Sequence, residues 1–155
     1  MTPRFFISAP FGNYIRSERT ISVKGTFTLH PRGNRLWSIL TTLRYSRKHN
    51  GWVNRLGLPN PGIQKGLASV SENPQNNVMS IAETERGDFQ KMNHIIPLDQ
   101  SLEINLSCPN IERLNNINGS STLPMDNARL FTKGKSRKWC IAKLSPITTP
   151  EEIEF

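Results

Sequence analysis

Short apolar runs, each bounded by polar, glycine-bearing or proline-bearing connections, set the rhythm of the chain. FFISA (5–9), TISV (20–23), NVMSIA (77–82), LEINL (102–106) and WCIAKL (139–144) each have the length of a buried strand. Between them, IQKGLASV (63–70) and DFQKMNHII (88–96) carry apolar residues at intervals of three and four, the spacing of an amphipathic helix. This alternation predicts an α/β fold of βα units around a parallel sheet. The stretch NNINGSSTLP (115–124) reads as a long loop after the LEINL strand, and loops at that end of parallel strands are where such folds place chemistry. No internal repeat is present. In SPITTPEEIEF (145–155), Thr149 can cap a helix, Pro150 can open it and Glu152 can close a capping box. About six residues make no stable helix, so the expectation is an interrupted element of a larger domain; the alternative is a short frayed cap on a complete one.

Composition narrows this picture. The chain has 155 residues, 35% hydrophobic and 21% charged, which suits one soluble domain with a modest core rather than a disordered segment. There is no run of about 18 apolar residues, and MTPRFFISAP lacks the basic start and long apolar core of a secretory signal. A cytoplasmic protein without membrane association is expected. Cys108 and Cys140 are too few for a disulfide framework and are not spaced as metal ligands with His30, His49 and His94, so free thiols and no metal are expected. The net charge of +8 gathers in segments 35–55 and 133–138. Such patches can concentrate anions or nucleic acid, but no recognised nucleic-acid module accompanies them. A solvated basic face is therefore the simpler reading.

Several side chains have a chemistry to offer. Cys108 follows a predicted strand and precedes Pro109, which restrains it. A thiol with an ordinary pKa of about 8.5 can act as base toward an acidified carbon if the site stabilises the carbanion or removes a hydride. The competing reading is a buried filler, which suits Cys140 inside its apolar run. Asn105 and Asn110 flank Cys108, and their amides can each donate and accept, as reading an imide or pyrimidine edge requires; turn chemistry is the alternative. In GWVNRLGLPNPG (51–62), Asn54 precedes Gly57, where a glycine permits close backbone approach to a ligand or simply makes a loop. Lys24 and Lys143 are expected at strand ends, where an ammonium either meets an anionic ligand or only solubilises.

Four stretches combine into a resemblance. SVKGTFTLHPRGN (22–34), VNRLGLPNPG (53–62), LEINLSCPN (102–110) and AKLSP (142–146) stand in the order seen in dihydroorotate dehydrogenases, and look most like the cysteine-dependent, soluble class 1 enzymes. The resemblance implies a flavin-containing (β/α)8 barrel that oxidises dihydroorotate to orotate in pyrimidine synthesis, with FMN as cofactor. It implies that Cys108 is the base removing a proton from C5 while a hydride leaves C6 for the flavin. It further implies that Asn54, Asn105 and Asn110 hold the pyrimidine ring and that the backbone around Leu56, Gly57 and Leu58 meets the substrate carboxylate. Lys24 matches the lysine near both flavin and substrate, while Asn105 and Lys143 match flavin-ring contacts. Gly25, standing where the family often has serine, is assigned with Lys24 to the cofactor side.

The departures shape the expectation further. The connection between FFISA and TISV is too short for the usual first helix, and RLWSIL replaces a proline-rich continuation. A typical barrel needs about 250 residues, so residues 1–155 are expected to form a single partial domain: roughly the first half of the barrel, incomplete near the start of the helix after the fifth strand. On its own such a piece is expected to be inactive without a complementing chain or a homo-oligomeric partner. The alternative is a non-catalytic half-barrel that binds or assembles through its open sheet edge. The electron acceptor is not encoded in these stretches.

Overall fold

The computed structural model describes residues 5–15, 17–33, 37, 40–41, 43–53, 57–72, 76–107 and 129–144. Five strands build one parallel sheet: β1 (Phe5–Ile7), β2 (Thr20–Phe27), β5 (Val78–Ile81), β6 (Leu102–Asn105) and β7 (Cys140–Lys143). They lie in the order β1-β2-β5-β6-β7. Each strand sits beside its predecessor, the sheet curls into a half-barrel, and the architecture matches part of a (β/α)8 barrel. β3 (Arg44–Ser46) and β4 (Gly51–Val53) form a separate antiparallel hairpin. The five apolar runs thus became the five strands of the main sheet, while the hairpin was not foreseen.

Two helices pack on the outer face of the sheet. α1 (Ile63–Val70) buries Ile63, Gly66 and Val70, and α2 (Asp88–Ile95) buries Phe89 and Met92, both at the spacing read from the sequence. They cover Met79, Ile81, Leu102 and Ile104, which share the outer core with Phe27, Leu29, Ile96 and Phe131. Phe131 comes from a helical turn at 129–132 and meets Phe89 edge to face at 5.6 Å. Gly66 lets α1 approach closely, since a Cβ there would stand 2.8 Å from the Phe27 ring.

Local caps replace the ones the sequence lacks. α2 starts at Gly87, which has no side chain to cap it; the Glu83 carboxylate instead accepts the N–H groups of Gly87 and Phe89 at 2.9 and 3.3 Å. Burial outweighs these bonds and pushes the Glu83 carboxyl above its ordinary pKa, with Asp88 adding to the rise. Arg137, expected on a basic solvated face, is a structural clamp instead. Its Nη1 donates to the carbonyls of Pro97 and Gln100, each at 2.6 Å, and its Nε to that of Phe131 at 3.0 Å. Burial lowers its pKa, against the opposing influence of Cys140 and Asp99. Cys140 is half-buried against the outer core, and its thiol is pushed up by the same burial.

On the other side of the sheet, Ile21, Val23 and Val78 form a second, smaller apolar cluster with Ala9 and Trp139. Phe6 joins it edge to face with Trp139 at 5.3 Å. Between β1 and β2 a 3-10 turn (Phe11–Asn13) takes the place of the first barrel helix among the described residues. Also among them, no helix is long and apolar enough to cross a membrane, and no group of three or more His, Cys, Asp or Glu side chains gathers as a metal site.

Candidate functional site

The inner face turns polar toward the C-terminal ends of its strands, and a bulge makes it so. Val23 pairs with Val78, Lys24 with Met79, and Phe27 with Ile81. Two residues of β2, Gly25 and Thr26, therefore oppose the single residue Ser80 of β5. Gly25 is the extra residue: its φ is +120°, and a Cβ there would stand 2.6 Å from the Ser80 carbonyl oxygen. The bulge resets the alternation, so Thr26 reaches the inner face while Phe27 returns to the outer core.

Thr26 and Ser80 share a hydrogen bond at 2.9 Å, and Ser80 Oγ donates to the buried Glu103 carboxylate at 2.7 Å. Asn105, also buried, donates from Nδ2 to Thr26 Oγ1 at 3.3 Å. Its Oδ1 accepts the N–H of Ser107 at 3.2 Å and the Ser107 hydroxyl at 2.7 Å. Lys143 pairs with Asn105 in the parallel register, which puts the two side chains on the same face of neighbouring strands. Amide, hydroxyls, carboxylate and ammonium thus gather in one polar row above the apolar inner cluster.

The remaining expected residues fall in three groups. Gly57 and Leu58 lie in the loop before α1, both at positive φ, 62° and 57°. The left-handed conformation is unusual for a leucine and is held from outside. Asn60 donates to the Leu58 carbonyl at 2.8 Å and to Thr28 Oγ1 at 2.9 Å, and accepts the N–H groups of Thr28 and Gly62 at 3.1 and 2.9 Å. Sequence reasoning did not single out Asn60; its position between Pro59 and Pro61, neither of which has a backbone N–H, was the available signal. Cys108, Asn54, Leu56 and Asn110 lie outside the described residues.

Lys24 sits elsewhere than expected. Lys24 was read as a strand-end lysine beside flavin and substrate. It stands within β2, paired with Met79 on the outer face, and its buried ammonium donates to the Ser69 carbonyl in α1. The structure does not bring it to the row of Asn105 and Lys143, because the residue before the bulge faces the helices. The N–H and C=O of Gly25 are both taken by the side-chain amide of Asn13, at 3.1 Å each. Gly25 shapes the site as a bulge, and its backbone is engaged by the 3-10 turn.

The dihydroorotate dehydrogenase family model matches residues 21–155. The chain belongs to the dihydroorotate dehydrogenase family. No curated protein and no solved structure gives a significant match. Members of the dihydroorotate dehydrogenase family generally bind flavin, and the polar row offers a donor set that fits the ring of such a group. Lys143 supplies a cation, Asn105 has a second Nδ2 hydrogen without a partner among the described residues, and both stand on the inner face at the strand ends. Of the cofactor-side residues expected from sequence, Asn105 and Lys143 stand together on the inner face, whereas Lys24 lies on the outer face and Gly25 in the bulge.

Proposed function

We propose that the chain holds FMN as a dihydroorotate dehydrogenase-like flavoprotein of the cysteine-dependent class 1 type and, together with a complementing chain, oxidises dihydroorotate to orotate in pyrimidine synthesis. The observation that carries this reading is the pairing of Asn105 with Lys143 on the inner face, at the strand end from which the chain runs on to Cys108. When bound, FMN supplies the acceptor for the hydride leaving C6. Cys108 removes the proton from C5. Asn105, with Asn54 and Asn110, holds the pyrimidine ring, and the backbone of Leu56, Gly57 and Leu58 meets the carboxylate. The Lys143 ammonium stabilises negative charge that develops on the ring system beside it. A small-molecule substrate and a cytoplasmic location go with this reading.

Titrating the FMN-supplemented chain with orotate and with uracil tests it by calorimetry. Uracil lacks the carboxylate assigned to the 56–58 backbone, so orotate is expected to bind at least about tenfold more tightly. Equal binding of the two, or no saturable binding of orotate, overturns the reading.

A second reading is favoured by the sheet edge. β1 is an edge strand, and at and just beyond it Phe5, Phe11 and Tyr14 are 65%, 64% and 69% exposed. A non-catalytic half-barrel that pairs this edge with another chain uses that surface. Sedimentation separates the two readings: a well-behaved monomer over a wide concentration range counts against edge pairing.

A further inference from the structure

We propose that Glu103, Ser80 and Thr26 are positioning residues that hold the Asn105 amide in one orientation through a one-way chain of hydrogen bonds. The inference rests on the reading of Asn105 as a ring-binding residue. Its argument begins at the carboxylate, which offers acceptors and no donor. Glu103 is 4% exposed and Ser80 fully buried, so the Ser80 hydroxyl spends its single hydrogen on Glu103 at 2.7 Å. Ser80 Oγ must then accept from Thr26 at 2.9 Å. The single hydrogen of Thr26 is thereby used, and Thr26 Oγ1 can only accept, which requires the NH2 end of Asn105 to face it. At the other end of the amide, the backbone N–H of Ser107 can only donate, which requires Oδ1 there. The two constraints agree, and they leave one Nδ2 hydrogen for a ligand.

The chain joins residues that are 23, 54 and 79 positions apart, and the Gly25 bulge is what turns Thr26 toward it. Replacing Glu103 with glutamine keeps the shape but adds a donor. If that donor engages Ser80, every bond in the chain reverses, and Thr26 presents its hydrogen to the NH2 group of Asn105. Donor then faces donor, and the contact is lost. Thr26→Val removes the hydroxyl at nearly constant volume, and Thr26→Ser restores it.

The test uses two readouts on the full chain. In the first, the side-chain amide signals of Asn105, assigned by their loss in Asn105→Asp, are followed by NMR. The wild type and Thr26→Ser are expected to show two separate proton signals, the one bonded to Thr26 protected from exchange. Thr26→Val and Glu103→Gln are expected to lose that protection while their melting temperatures stay close to the wild type. In the second, FMN affinity is expected to weaken by about tenfold in Thr26→Val and to recover in Thr26→Ser. Unchanged amide protection in both Thr26→Val and Glu103→Gln overturns the proposal, as does an unchanged FMN affinity in Thr26→Val. If the wild type binds no FMN, the function proposed above fails, and the amide spectra still decide the positioning chain.

Discussion

The two faces of the sheet are built by the same strands yet obey different rules. Outward, Phe27, Met79, Ile81, Leu102 and Ile104 meet α1, α2 and Phe131 in a closed apolar layer. Inward, Ile21, Val23 and Val78 make a small apolar base, above which Thr26, Ser80, Glu103 and Asn105 are buried or half-buried and tied to one another. Alternation along a strand assigns each residue to one face or the other. Burial of the outer layer stabilises the fold through area removed from water, whereas the inner row depends on its buried polar groups bonding one another. The outer face therefore carries most of the stability of the fold, and the inner row carries its directional bonds.

The largest effect should come from the outer face. Ile104 is fully buried, so Ile104→Ala is expected to cost about 2 to 5 kcal/mol in chemical denaturation. Ligand affinity of the molecules that remain folded should be unchanged, and a selective loss of affinity would blur the division between the faces. Gly25→Ala strikes the bulge that joins them. The positive φ and the 2.6 Å approach to the Ser80 carbonyl oppose any side chain there, and a loss of more than about 1 kcal/mol is expected, read as a lowered melting temperature. If Gly25→Ala is neutral, the bulge does not fix the position of Thr26.

The smallest effect concerns pH. The folded state raises the pKa of Glu83 above 4.5, chiefly by burial. The folded chain then binds this proton more tightly than the unfolded chain, so its contribution to stability is greatest at low pH and falls as pH rises from about 4.5 through the raised value. Glu83→Gln keeps an acceptor for the Gly87 and Phe89 N–H groups and removes the charge. Melting curves across this range should show a weaker decline with pH in the variant than in the wild type. Parallel curves would mean that the α2 cap holds its carboxylate without cost.

The sequence was most legible where hydrophobic periodicity decides the structure. IQKGLASV became α1 at the expected bounds, and the five apolar runs became the five parallel strands. The hairpin of β3 and β4 escaped because its strands are three residues each, too short for a periodic signal. Lys24 was misplaced because the resemblance set it beside the flavin, whereas alternation with the inward-facing Ile21 and Val23 already turns it toward the helices before the bulge begins. Glu103 was passed over within LEINL because its partners, Ser80 and through it Thr26, come from other strands, and alternation predicts a face without predicting a hydrogen bond. Asn105 and Lys143, by contrast, were named from their motifs, and the parallel register puts them side by side.

The central claim is that the inner polar row is a ligand site, distinct from the face that stabilises the fold. Titrating FMN fluorescence against the wild-type chain and Lys143→Met tests it most directly. The account predicts saturable quenching by the wild type, an affinity at least about tenfold weaker in Lys143→Met, and the same denaturation midpoint for both. Equal FMN affinity in the two proteins, or a loss of affinity that merely follows a loss of stability, would contradict it.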